Sequence, residues 1–329
     1  MAYRFKTKES FAKGFRRIVA EQIGAAEQRL SQSTIDPTNV HEARKNLKRT
    51  RALLRLMRPA LGDELFKREN ARLRDAGALL SARRDAHVLD QTLVNLGPEP
   101  DSALAPTVSK LRAAVASTRT DVDASSEQQS LANAAEELRQ SLSALRRQKF
   151  KDDGFDLVEP GLKRSYAAAR KAMRVAYAEP SEENFHEWRK GIQQHWRQML
   201  LLSRGWPEVL LPRARAARQI SEMLGQDHDI AVLKAYLHSH SDLPLTPRER
   251  QNIEAHFQGQ QASLRARCKP LGERLLAERS RSFSRRVETY WRVAGQIENA
   301  AVEAELSAKA KVEAAEKQVA RADRGGKAA

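Results

Sequence analysis

Residues 39–56 read NVHEARKNLKRTRALLRL, and residues 184–201 read NFHEWRKGIQQHWRQMLL. The first stretch places one histidine and six arginines or lysines in eighteen positions, and the second opens with the same His-Glu-x-Arg-Lys order. Within 39–61, Val40, Ala43, Leu47, Leu54, Met57 and Leu61 recur at spacings that put them on one helical face. Asp36 before Pro37 supplies a helix start, an acidic N-cap followed by proline in the first turn. Pro59 and Gly62 mark the end. Ser181 takes the place of Asp36 in the second copy, and Gly205 with Pro207 closes it. This stretch is therefore an amphipathic helix, and it occurs twice.

A second pair of segments follows in the same order, LLSARRDAHVLDQTL at 79–93 and MLGQDHDIAVLKAYL at 223–237. Leu80 matches Leu224, Asp85 matches Asp229, and Val88-Leu89 match Val232-Leu233. Two matches at nearly one offset point to an internal duplication. Strand-type alternation is absent and aromatics are only 5% of residues, so the expected class is all-α. The reading is two pseudo-symmetric helical bundles of about four long helices each, 5–150 and 155–300, meeting in the polar stretch 149–156. Helices are expected over 9–33, 38–58, 63–96, 103–121 and 126–148, then 157–178, 181–204, 208–240, 246–267 and 271–299. Residues 301–329, rich in Ala, Glu and Lys, read as a frayed helix or a disordered tail.

The 58 Lys and Arg against 42 Asp and Glu leave a net charge of +16, which calls for an anionic partner. One cysteine, Cys268, excludes a disulfide framework within the chain and suits a reducing compartment, where it serves as a packed small hydrophobe. The amphipathic N-terminus carries no signal-peptide region, and no apolar run is long enough to span a membrane. The expectation is a soluble, cytoplasmic protein with no membrane partner.

On the first repeated helix His41, Arg44, Lys48, Arg51, Arg55 and Arg58 form one stripe at spacings of three and four, with Lys45 beside it. Like charges stacked this way repel by a few tenths of a kcal/mol per pair, so a helix selected only for solubility would intersperse acids. Here only Glu42 interrupts. In the second copy His186, Arg189 and Lys190 repeat the opening, whereas Gln193, Gln194 and Trp196 replace Lys48, Arg49 and Arg51. Arg197 and Arg204 restore part of the charge, with His195 alongside. Trp188 reads as core, and Trp196 as either a core anchor or a wall of the site. Guanidinium forks and lysine point charges suit phosphate oxygens, and histidine beside phosphate gains proton affinity. Asp85 and Asp229 would repel such a ligand, so they read as residues that orient basic side chains or cap local structure. Asp227-His228-Asp229 looks like a metal-ligand run, but neighbouring helical positions diverge by about 100°, so no metal is expected.

These motifs resemble the CHAD family, the conserved histidine α-helical domain, in VHEARKNLKRTRALLRL, FHEWRK and LGQDHDIAVL, over nearly all of residues 5–300. The resemblance implies paired four-helix bundles whose basic helices face a shared groove or pore that binds inorganic polyphosphate, with the protein on polyphosphate granules. By motif position it implies His41, Arg44, Lys48, Arg51, His186 and Arg189 as ligands, and Gln193 departs from its pattern where a basic residue is usual. The repeat rather than the motif adds Arg74 and Arg218, equivalent by the 144 offset, and likewise Arg164 and Arg170. No cofactor is expected. Without a P-loop, a nucleophile elbow or an acidic Mg²⁺ cluster, the reading is a binding module rather than an enzyme. The alternative is a nucleic-acid-binding protein, with nucleic acid held only as a non-specific polyanion.

Overall fold

The computed structural model describes residues 3–32, 36–80, 84–96, 102–117 and 124–325, and these are helical with no strand among them. Helices α1 (Phe11–Leu30), α2 (Pro37–Leu61), α3 (Asp63–Leu79), α4 (Arg84–Leu96), α5 (Ala105–Ser117) and α6 (Ala124–Arg146) come from the first half. Helices α7 (Glu159–Ala178), α8 (Glu182–Leu201), α9 (Pro207–Ser239), α10 (Pro247–Leu275) and α11 (Ser280–Gly325) come from the second. The stretch 149–156 lies where the helical pattern lapses, between the end of α6 and a short 3-10 turn at Phe155–Leu157.

The starts of the two repeated helices follow their sequence signals. Asp36 Oδ1 accepts from the Asn39 amide at 2.7 Å, and Ser181 Oγ accepts from the Asn184 amide at 3.1 Å, satisfying the same orphan donor in each copy. Gly62 ends α2 at φ 79°, a conformation glycine adopts without steric cost.

Helices α1, α2, α3 and α6 pack in a ring, α1 on α2, α2 on α3, α3 on α6 and α6 on α1. In the second half α7, α8 and α9 pack in sequence and α10 lies against α9. Tyr177 Oη donates to the Arg265 carbonyl at 2.7 Å and brings α10 back to α7. Two four-helix groups in the same order are compatible with the duplication. The apolar stripe of α2 is the core expected of it, with Ala43, Leu47, Leu54, Met57 and Leu61 buried and Val40 packed at the margin. Trp188 and Cys268 are fully buried, and burial pushes the Cys268 thiol up to about 12, so it stays a neutral packing group.

Three helix expectations need correction. The single helix expected over 63–96 is two, α3 ending at Leu79 and α4 starting at Arg84. Helix α4 packs on α9 and α5. The helix expected to end at 267 runs through Pro270 to Leu275, because Leu264, Cys268, Gly272 and Leu275 all bury. That burial outweighs the backbone hydrogen bond a proline forfeits. The last helix therefore begins at Ser280 instead of 271, and it continues to Gly325.

The halves join through α2, which packs on α7 and α8 as well as on α1 and α3. Gly161 of α7 lies so close to α2 that a β-carbon there would sit 1.8 Å from the Leu56 carbonyl oxygen. Only glycine fits this crossing. Gln194 Nε2 donates to the Ala52 carbonyl at 2.9 Å, tying α8 to the middle of α2. The N-terminal segment adds a strap across the joint, with the Phe5 amide donating to the Leu201 carbonyl at 2.9 Å and Tyr3 Oη donating to the Arg49 carbonyl at 2.9 Å. No described helix is long and apolar enough to cross a membrane.

Candidate functional site

The basic stripe of α2 changes environment along its length. His41, Lys45 and Lys48 near the start are exposed, while Arg44, Arg51, Arg55 and Arg58 are half-buried. The stripe is thus a solvated edge at its start and faces α8 at Arg51 and Arg55, while Arg58 beyond them pairs with Asp63 at 2.7 Å and lies 4.7 Å over Phe66. Arg44 Nη1 donates to the Gly77 carbonyl at 2.8 Å, which anchors it on α3. Lys45 pairs with Glu42 at 2.7 Å and Lys190 with Glu187 at 2.5 Å, the same exposed i,i+3 pair in both copies.

Where α2 and α8 meet, four arginines gather: Arg51 and Arg55 from α2, Arg189 and Arg197 from α8. Burial first, then the charges of Arg55 and Arg74, push Arg51 down to about 10. Arg197 is pushed down to about 10 by burial, with Arg49, Arg55 and Arg189 adding to it and Tyr3 opposing. Burial also lowers Arg55 and Arg189. All remain cations at neutral pH, so the repulsion persists. Among the described residues no carboxylate lies within ion-pairing distance of any of the four. Arg51 donates to the Asn70 amide oxygen at 3.1 Å, and Arg197 donates to the Gln193 carbonyl at 3.0 Å. Arg189 Nε is buried without a hydrogen-bond partner. Partly buried cations without an ion-pair partner cost stability, which makes this cluster a candidate binding site.

Around Arg189 the second half builds a wall. The rings of His186 and His228 lie 4.4 Å apart, and His186 Nδ1 is buried without a hydrogen-bond partner. Burial and the neighbouring cations Lys190 and Arg189 hold both histidines below their ordinary range, so each is neutral at pH 7. Trp196 is half-buried beside Arg197, whose guanidinium lies 4.8 Å from its ring centre, and Arg218, at 5.7 Å. It is a wall of this region packed at the core margin, and its ring is engaged by two cations.

Of the aspartates, Asp227 is buried and binds Arg265 through both oxygens at 2.6 and 3.3 Å, which holds that guanidinium 4.2 Å over Phe185. Asp229 supplies negative charge towards Arg189. Both orient basic groups. The side chains of Arg84 and Asp85 lie outside the described residues. Among those described, no three His, Cys, Asp or Glu are grouped to hold a metal.

Other sequence candidates stand apart. Arg74 is exposed and pairs with Asp75 at 2.7 Å, though its charge reaches Arg51. Arg218 pairs with Glu222 at 2.7 Å. Arg164 is exposed on α7 near Asp63. Arg170 spends Nε on the Leu276 carbonyl at 2.8 Å, closing the end of α10. His195 is 1% exposed and accepts from Arg213 Nε at 3.1 Å, so it is a core histidine. Its pKa is held well below the ordinary range by burial and by Arg213. Sequence reasoning passed over Arg49 and His228 as site residues. Arg49 sits off the stripe, and His228 had a signal in the repeat, since the 144 offset that matches Asp85 with Asp229 matches Arg84 with His228.

A search of curated proteins finds no match. The model of the CHAD domain matches residues 17–238, about two thirds of the chain and all of α2, α8 and α9 but for the last residue of α9. The chain belongs to the CHAD domain family.

Proposed function

We propose that the joint between α2 and α8 binds inorganic polyphosphate without chemical conversion, and that this binding places the protein on polyphosphate granules. One observation carries the reading: Arg51, Arg55, Arg189 and Arg197 converge from both halves, and among the described residues no carboxylate forms an ion pair with any of them, Asp75 and Asp229 acting only from a distance on Arg51 and Arg189. The ligand that supplies the missing charge is anionic and narrow enough to reach half-buried guanidiniums. A phosphate chain has both properties, and each residue of it offers oxygens for bidentate contacts. His41, Arg44, Lys45 and Lys48 extend the same charge outward along α2, giving a long anion a path from solvent. His186 and Lys190 do so on α8.

Single-stranded nucleic acid is the competing ligand. It gains affinity from stacking on aromatic rings, and the one tryptophan beside the arginines already has cations over it. Polyphosphate needs no such platform. The test is binding of long-chain polyphosphate by the full chain and by Arg55→Gln and Arg189→Gln. Losing one charged hydrogen-bonding group costs about 1.5–3 kcal/mol, or roughly 10- to 100-fold in affinity. Undiminished affinity in both variants places the ligand elsewhere. Release of orthophosphate by the wild type during the titration replaces a binding module with an enzyme.

A further inference from the structure

We propose that His228, stacked on His186 beside Arg189, is a ligand group of the same polyphosphate site and makes binding there coupled to proton uptake. The inference rests on the polyphosphate reading above.

Three observations carry it. The two imidazoles approach to 4.4 Å at a 34° tilt, which two cations tolerate poorly unless an anion lies beside them. Second, His186 Nδ1 and Arg189 Nε are both buried and lack hydrogen-bond partners, so the corner holds donors for a ligand when the imidazole is protonated. Third, the duplication places Arg84 at the position of His228. In sequence the matched position is a permanently charged arginine in one half and a histidine, whose charge depends on pH, in the other.

The surrounding charges favour this arrangement. On α8, Glu187 pairs with Lys190 at 2.5 Å, and Glu182 pairs with Lys234 of α9 at 2.8 Å. Asp227 of α9 is held by Arg265 of α10, and Asp90 of α4 pairs with Arg112 at 2.9 Å. Asp229 directs its charge at Arg189. Burial is the largest influence against protonation of the two imidazoles; Arg189 and Lys190 add to it, and Glu187 and Glu182 oppose it in part. A polyphosphate oxygen at the corner favours protonation. The bound state then holds more protons than the free state, and solvent supplies them. Affinity therefore falls as pH rises between the free and bound pKa values, by on the order of ten-fold per pH unit for each proton taken up.

Calorimetric titration of the full chain with long-chain polyphosphate, at pH 6.5 in two buffers of different ionisation enthalpy, counts the protons. The wild type takes up protons on binding. His228→Arg takes up fewer and binds at pH 8 more tightly than the wild type, because the charge no longer has to be acquired. His228→Gln binds more weakly than the wild type at pH 6 and equally at pH 8. Uptake that is the same in His228→Arg as in the wild type overturns the assignment, as does wild-type binding without uptake. Absence of any wild-type binding at pH 6 and 8 removes the polyphosphate reading itself.

Discussion

Helices α2 and α8 start alike and diverge after about two and a half turns. Both carry an oxygen N-cap, His-Glu-x-Arg-Lys, and the same exposed Glu-Lys pair. Then α2 continues with charge at Lys48, Arg51 and Arg55, while α8 turns to Gln193, Gln194 and Trp196. The structure gives the reason. Gln194 is the residue that meets the Ala52 carbonyl at the crossing, where an amide donates to a peptide oxygen without a charge to bury. A helix whose middle is taken up by this crossing has less of its length free to carry charge, so on the proposed reading α2 supplies most of the charge. Arg189 and Arg197 of α8 complete it.

The largest expected effect breaks the joint on which the comparison depends. Gly161→Ala forces a β-carbon against the Leu56 carbonyl oxygen, and overpacking against backbone costs about 3 kcal/mol or more. Thermal denaturation that matches the wild type would mean that α7 does not press on α2 there.

Smaller but more pointed is the exchange of stability against binding at the arginines. Arg55→Leu removes one of several crowded, half-buried cations, so the ligand-free protein gains up to ~1 kcal/mol while polyphosphate affinity drops. A variant that loses both is missing a structural contact, and the cluster is then a packing feature. The salt dependence reads the same charges. Each cation removed from the ligand's path lowers the slope of log K against log[salt] by up to about one unit.

pH also acts on the second half in the absence of ligand. His186, His228 and His195 have folded-state pKa values below the ordinary value of about 6.5. Below that pH the unfolded chain binds protons that the folded chain refuses, so stability falls with falling pH. Saturating polyphosphate counters the loss if it draws protons to His186 and His228. Melting curves at pH 5.5 and 7.5 check this, and a Tm independent of pH contradicts it. The smallest effects belong to Lys45→Ala and Lys190→Ala, exposed pairs worth about 0.5 kcal/mol or less to stability. If binding follows the path from solvent along α2, Lys45→Ala weakens it more than Lys190→Ala.

Much of this was legible in the chain. The N-caps, the buried stripe from Ala43 to Leu61, the burial of Trp188 and Cys268, and the lapse at 149–156 follow from local rules of spacing and capping. What spacing cannot reveal is which charges meet. Arg51 and Arg197 come from different halves, and Arg170 has the same residue type but caps α10. Their separation is set by a helix crossing that turns on a glycine and a glutamine. Pro270 misled for the same reason, since the burial that carries α10 past it comes from partners distant in sequence.

The most direct test of the central claim is a competition titration near physiological salt. Labelled long-chain polyphosphate is bound by the full chain and displaced by unlabelled polyphosphate, pyrophosphate, single-stranded DNA or duplex DNA. The α2–α8 account predicts that long polyphosphate alone displaces it at low concentration, and that Arg55→Gln with Arg189→Gln removes that preference. Equal displacement per charge by DNA would contradict it and leave the four arginines as a generic polyanion surface.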